Sequence, residues 1–107
     1  MGAPAQKPSE ALNMLRRCLS KEGTVQWGPH FAKALTDDGL TFPDAWQVLR
    51  NGRIYAAPEP DIKTGDWKYK IEGNTPDGIW LAIVFCFREI DRTFLITAFS
   101  VKVKRKK

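Results

Sequence analysis

The stretch Ile79-Trp80-Leu81-Ala82-Ile83-Val84-Phe85-Cys86-Phe87 carries no charge on either of its two alternating faces. Side chains along a strand point alternately to opposite sides of a sheet, so a run apolar on both predicts a central strand covered on both sides. Its nine residues are too few to cross a bilayer as a helix, which takes about 20. Turn-forming residues bracket it: Asn74-Thr75-Pro76-Asp77-Gly78 before, and Arg88-Glu89-Ile90-Asp91-Arg92 after. Further out, Asp66 to Glu72 alternates. Trp67, Tyr69 and Ile71 share one face, and Asp66, Lys68 and Lys70 share the other. Thr93 to Val103 reads as the last strand. Arg53 to Ala57 reads as the first of this set, followed by a loop over Pro58 to Gly65. The short connections predict an antiparallel meander.

Upstream of residue 53 the apolar period becomes helical. Ser9 reads as an N-cap, and Ala11, Leu12, Leu15, Cys18 and Leu19 form a stripe. Arg16, Arg17 and Lys21 suit the negative end of that helix, and Gly23 suits its termination. Thr24 to Trp27 is a short strand candidate. Gly28-Pro29 opens a second helix with Phe31, Ala34 and Leu35 inward, ending at Asp37-Asp38-Gly39. Thr41 and Asp44 have the spacing of a capping box for a third helix. Its stripe is Phe42, Ala45, Trp46 and Leu49, and Asn51-Gly52 stops it. The expected class is α+β: N-terminal helices packed on one face of an antiparallel β-meander sheet. One domain is expected over residues 9 to 103, after a disordered stretch at 1 to 8 and before a basic tail at 104 to 107.

The chain has 107 residues, 43% of them hydrophobic, which fits a single folded domain with a core. One His and two Cys exclude a zinc cluster or a disulfide framework. The N-terminus has no apolar signal segment, so the expectation is a cytoplasmic protein with reduced thiols and no membrane contact. The net charge of +5 is unevenly placed. Lys102, Lys104, Arg105, Lys106 and Lys107 carry it, and the remainder holds twelve bases against twelve acids. Such an end attracts phosphate backbones or acidic partners, and equally serves as a solvated terminus.

Several residues could carry chemistry. His30 would sit in the first turn of a helix, where the dipole favours a neutral ring able to accept a proton. A lone His at a helix start is more often simply exposed. Lys68 and Lys70 share a strand face, and Arg88 closes the apolar run; cations on a sheet face suit a phosphate. For Lys70, pairing with Glu72 is the simpler role. Tyr69 and Trp80 could stack on bases, although their spacing is that of core residues. Trp27, Trp46 and Trp67 are assigned to the core. Cys86 lies in the most apolar run, where thiols are inert, and Cys18 reads as filler.

The segment from His30 through Gly39-Leu40-Thr41 to Asn51-Gly52 resembles the opening of small bacterial domains related to BrnT toxins. There a His starts a helix, a Gly-Ile/Leu-Ser/Thr step follows, and the next helix ends in Asn-Gly. The leading helix, short strand and Lys-rich end are similar to the MqsR toxin. Both groups belong to the RelE-like superfamily. The resemblance implies a metal-independent mRNA endoribonuclease without a cofactor, the toxin half of a pair neutralised by a cognate antitoxin protein. In such enzymes the 2′-OH attacks the adjacent phosphate in line, helped by a base, a cation and an acid. It would assign proton transfer to His30 or Tyr69 and phosphate binding to Lys68, Arg88 and Lys102. Lys70, Lys104 and Arg105 would add RNA contacts. Two positions depart from the pattern: Asp38 stands where BrnT-like chains carry Arg, and Trp80 where MqsR has Tyr. The departures support the alternative of a non-catalytic RNA- or protein-binding module of the same fold. A structural or immunity-type protein with an incidental basic tail is the third class.

Overall fold

A computed structural model describes residues 5–20, 24–89 and 91–101. Three helices, α1 (Pro8–Leu19), α2 (Pro29–Asp37) and α3 (Phe42–Asn51), accompany five strands. These are β1 (Thr24–Trp27), β2 (Glu59–Pro60), β3 (Trp67–Asn74), β4 (Trp80–Glu89) and β5 (Arg92–Ser100). The fold is α+β, with sheet order β1-β5-β4-β3-β2 and the apolar run at its centre.

Local chemistry explains the helix boundaries. Pro8 occupies the first turn of α1 and Lys7 is its cap, two residues earlier than the Ser9 expected from sequence. Proline's fixed φ suits that position, and the Lys7 N–H donates to Glu10 Oε1 at 3.4 Å. The ordered chain extends further forward, where the Gln6 N–H reaches Tyr69. Thr41 and Asp44 do form the capping box: the Thr41 N–H donates to Asp44 Oδ2 at 2.9 Å. Helix α2 ends in a Schellman motif, with Gly39 at φ 70 donating to Thr36 O and Leu40 to Leu35 O. The motif turns Leu40 into the core.

One hydrophobic cluster joins the helices to one sheet face. Ala11, Leu15, Phe31, Leu35, Ala45, Val48 and Leu49 meet Tyr69, Ile71, Leu81, Ile83, Phe85, Leu95 and Ala98. The joint is closest between α3 and β3. A Cβ on Gly52 would lie 2.5 Å from the Glu72 carbonyl oxygen, and one on Gly73 would lie 3.1 Å from Gly52 Cα. Arg53 and Glu72 exchange both backbone hydrogen bonds at 2.9 Å, and Arg16 Nη2 donates to Gly52 O at 3.0 Å.

Four expectations need correction. The sheet is mixed, because β1 runs parallel to β5, with Thr24 opposite Arg92 and Trp27 opposite Leu95. Loop lengths alone do not reveal a pairing between the first strand and the last. Arg53 to Ala57 is not a strand: Arg53 makes one bridge to Glu72, and pairing resumes only at Glu59 and Pro60. Arg53 and Glu59 are six residues apart where their partners Glu72 and Lys68 are four apart, so the segment between bows out from β3. The last strand, expected to reach Val103, ends at Ser100 with Val101 already outside it. The expected burial of β4 on both faces holds: Leu81, Ile83, Phe85 and Phe87 join the core with the helices, and Trp80, Ala82 and Cys86 are buried on the other face. Trp27 is 41% exposed on an edge strand, in an aromatic group with Phe42 and Trp46. Trp46 and Trp67 are half-buried against the core. Lys21, Gly23, Ile90, Lys102 and Val103 lie outside the described residues. Among the described residues no helix is long and apolar enough to cross a membrane.

Two stability predictions follow from the packing. Gly52→Ala should lose about 1–3 kcal/mol in urea unfolding, because the methyl meets backbone that cannot yield. Thr93 is fully buried and its hydroxyl has no hydrogen-bond partner. Thr93→Val should therefore gain about 1 kcal/mol in the same measurement.

Candidate nucleic-acid interface

Because Tyr69 and Ile71 enter the core, alternation turns Lys68, Lys70 and Glu72 to the helix-free face. On β4 the corresponding residues are Trp80, Ala82, Val84, Cys86 and Arg88. Glu72 stands opposite Ala82, which stands opposite Phe99. Lys70 stands opposite Val84, and Val84 opposite Thr97. Phe94 stands opposite Cys86 on one side and Gln26 on the other. Phe94 and Phe99 differ by an odd number of positions yet face the same way, because a bulge beside Val84 and Phe85 shifts the register.

The face combines cations with aromatic rings. The Arg88 guanidinium lies 4.4 Å above the Phe94 ring centroid. Tyr55, carried by the bowed segment, lies 6.3 Å from Trp80. Phe99 is 40% exposed. Lys68 and Lys70 line a cleft of about 180 Å³ with Ala56, Ala57, Glu59 and Val84. Glu72 is only 2% exposed. Its Oε1 accepts from the Trp80 indole N–H at 2.9 Å, and its Oε2 lies 3.8 Å from Lys70 Nζ. Burial pushes the Cys86 thiol up; Arg88 opposes this, while Asp66 and Asp61 add to it.

The sequence-derived residues are divided among different places. Lys68, Lys70 and Arg88 share the open face. Tyr69 is on the opposite one, 3% exposed, stacked on Phe85 at 5.6 Å and edge-on to Phe87. Its hydroxyl accepts from the Gln6 N–H at 2.8 Å, and burial raises its pKa above the usual phenol value, against the lowering effect of that hydrogen bond. His30 is exposed at the start of α2, beyond β1. Strands β5 and β4 separate β1 from β3, a spacing of roughly 14 Å at ~4.8 Å per strand. Among the described residues no hydrogen bond or ion pair joins His30 to Lys68, Lys70 or Arg88. Lys102, Lys104 and Arg105 lie outside the described residues; the chain reaches them from Val101, whose N–H donates to Trp80 O. Trp80 is buried, but on the open face of the sheet and outside the main cluster. Asp38, the departure from the BrnT-like pattern, accepts the Ser100 N–H at 2.7 Å and ties α2 to the end of β5.

Sequence reading missed Tyr55, Phe94 and Phe99 as members of this face, and treated Glu72 only as a pairing partner. Alternation from Lys70 to Glu72 was legible; the bulge and the bowed segment that place the rings were not. No family model, curated protein or solved structure matches the chain.

Cys86 and Tyr69 give this region an alkaline signature. Both are held neutral by burial in the folded state, so the unfolded chain releases their protons first. Stability should be flat through neutral pH and fall above the ordinary thiol and phenol values, about 8.5 and 10. Unfolding midpoints measured from pH 7 to 11 check this. Phe replacing Tyr69 should remove the upper part of the fall.

Proposed function

We propose that this protein binds single-stranded RNA across the helix-free face of its sheet, as a domain of RelE-like type. The observation that carries the reading is the joint display of Lys68, Lys70 and Arg88 with Phe94, Phe99 and Tyr55. Cations hold phosphates through counterion release, and aromatic rings receive unpaired bases. An exposed ring such as Phe99 can stack on a base of any identity. The Val101 N–H donates to Trp80 O, and the charges that follow in the sequence from Lys102 would add long-range attraction.

Metal-independent cleavage of mRNA, with neutralisation by an antitoxin protein, is a second reading. One observation favours it: the Glu72 carboxylate sits among Lys70 and Trp80 on the face where the phosphate cations gather. A carboxylate there could take the proton of a 2′-OH, with Lys68 and Arg88 holding the phosphate. This route uses neither His30 nor Tyr69.

RNA binding measured against salt tests the first reading. Each phosphate contact to a single strand contributes about 0.7 to the slope of log K on log salt. Lys68→Ala/Arg88→Ala should therefore weaken binding and flatten the slope by about 1.4. An unchanged slope removes the sheet-face assignment. Induced expression in a bacterial host separates the two readings. Growth arrest with mRNA loss, absent in Glu72→Gln although that variant still binds RNA, supports cleavage. Intact mRNA with RNA binding retained leaves the binding domain.

A further inference from the structure

A second group of cations lies round the edge of the sheet. Arg16 from α1, Arg50 from the last turn of α3 and Arg53 just beyond it line one cleft of about 310 Å³, with Leu12, Asn51 and Gly52. No carboxylate lines it. Among the described residues none of the three arginines forms an ion pair, whereas Lys33, Lys70 and Arg92 each have an acidic partner.

Two of these arginines are fixed by the fold. Arg16 Nη2 donates to Gly52 O, and the doubled backbone bridge to Glu72 holds Arg53. A guanidinium offers five donors in a rigid fork, so a single bond to Gly52 leaves Arg16 with further donors for an anion. Three like charges around one cleft repel each other, and an anion between them removes that cost. The C-terminal dipole of α3 accounts for Arg50 but does not require Arg16 and Arg53 beside it.

The cleft is continuous with the open face. Asn51, Gly52 and Arg53 also line a neighbouring cleft whose other walls are Tyr55, Glu72, Asn74 and Trp80. A strand leaving Lys70 would thus pass the Tyr55–Trp80 pair and reach the arginines without crossing the core. Glu72 lies on this path with its charge opposed by Lys70.

We propose that the Arg16–Arg50–Arg53 cleft binds a phosphate of the RNA strand that crosses the sheet face. The inference rests on the RNA-binding reading above and extends it to a second, separate phosphate contact. The site takes the phosphodiester as a charge and a set of acceptors, so it is indifferent to base identity.

The test uses the full chain and a fluorescent single-stranded RNA of about 12 nucleotides, within the usual site size for such faces. Arg50→Gln/Arg53→Gln spares Arg16, whose bond to Gly52 supports the fold. It should flatten the salt slope by about 0.7, the share of one phosphate, additively with Lys68→Ala/Arg88→Ala. Arg50→Lys/Arg53→Lys should keep most of the slope while weakening binding. Thermal unfolding of each variant, and of the wild type with inorganic phosphate at constant ionic strength, accompanies the binding series. A wild-type slope in a folded Arg50→Gln/Arg53→Gln variant overturns the cleft, while leaving the sheet-face reading intact if Lys68→Ala/Arg88→Ala still loses affinity. Stabilisation of the wild type by phosphate without RNA binding, absent in the Gln variant, overturns the RNA assignment and gives the cleft to a small phosphorylated ligand. Neither RNA binding nor phosphate stabilisation overturns both readings.

Discussion

At Gly52 the chain leaves its last helix and touches β3 with no side chain between. A methyl there would meet the Glu72 carbonyl at 2.5 Å, and Gly73 answers with the same bareness from the sheet. Backbones that approach this closely fix the height of α3 above the sheet. Val48, one turn earlier, then fills the remaining space against Gly73. The two hydrogen bonds between Arg53 and Glu72 hold the register, so the helical half cannot slide along β3 without breaking them. Arg16 secures α1 to the same point through the Gly52 carbonyl. Three elements and the start of the bowed segment therefore depend on one small contact.

The same contact shapes the open face. Fixing Arg53 at the sheet edge means that the chain up to Glu59 must bow outwards, and that bow carries Tyr55 to Trp80. Glu72 belongs to both sides of the arrangement. Its backbone pairs with Arg53, and its carboxylate binds Trp80 and faces Lys70. A buried carboxylate with an indole donor and an ammonium nearby is oriented before any ligand arrives. On the helix-covered face Tyr69 fills the space beneath β3, and its hydroxyl accepts from the Gln6 N–H.

Sequence periodicity located the three helices, the strands β3 to β5 and the turn at Asn74 to Gly78. It also placed Lys68 and Lys70 together, because alternation assigns a face without reference to distant residues; Arg88 reads only as the cation closing the apolar run. What it missed depends on partners far along the chain. The β1–β5 pairing joins opposite ends of the sequence. The bulge beside Val84 inverts the facing of part of β5, so Phe94 and Phe99 cannot be assigned by counting. Arg53 to Ala57 has the composition of a strand, and nothing local shows that its pairing with β3 lapses after Arg53. The resemblance gives Tyr69 and Lys68 to one site, although alternation already puts them on opposite faces. The arginine cleft gathers residues from two helices and a loop, and no local spacing marks it.

The pairing of Thr24 with Arg92 also constrains the order in which the molecule can be completed. During synthesis β1 emerges early, but the edge it must join appears only when β5 has left the ribosome. Until then β1 and the helices that follow it lack much of their sheet floor. The antiparallel set β3 to β5 can form from nearby contacts, whereas the parallel edge must wait for a long loop to close. The nascent chain thus spends most of its synthesis with Trp27, Phe31 and Phe42 without their final cover, and a protein that bound this aromatic group before release would hold the molecule incomplete.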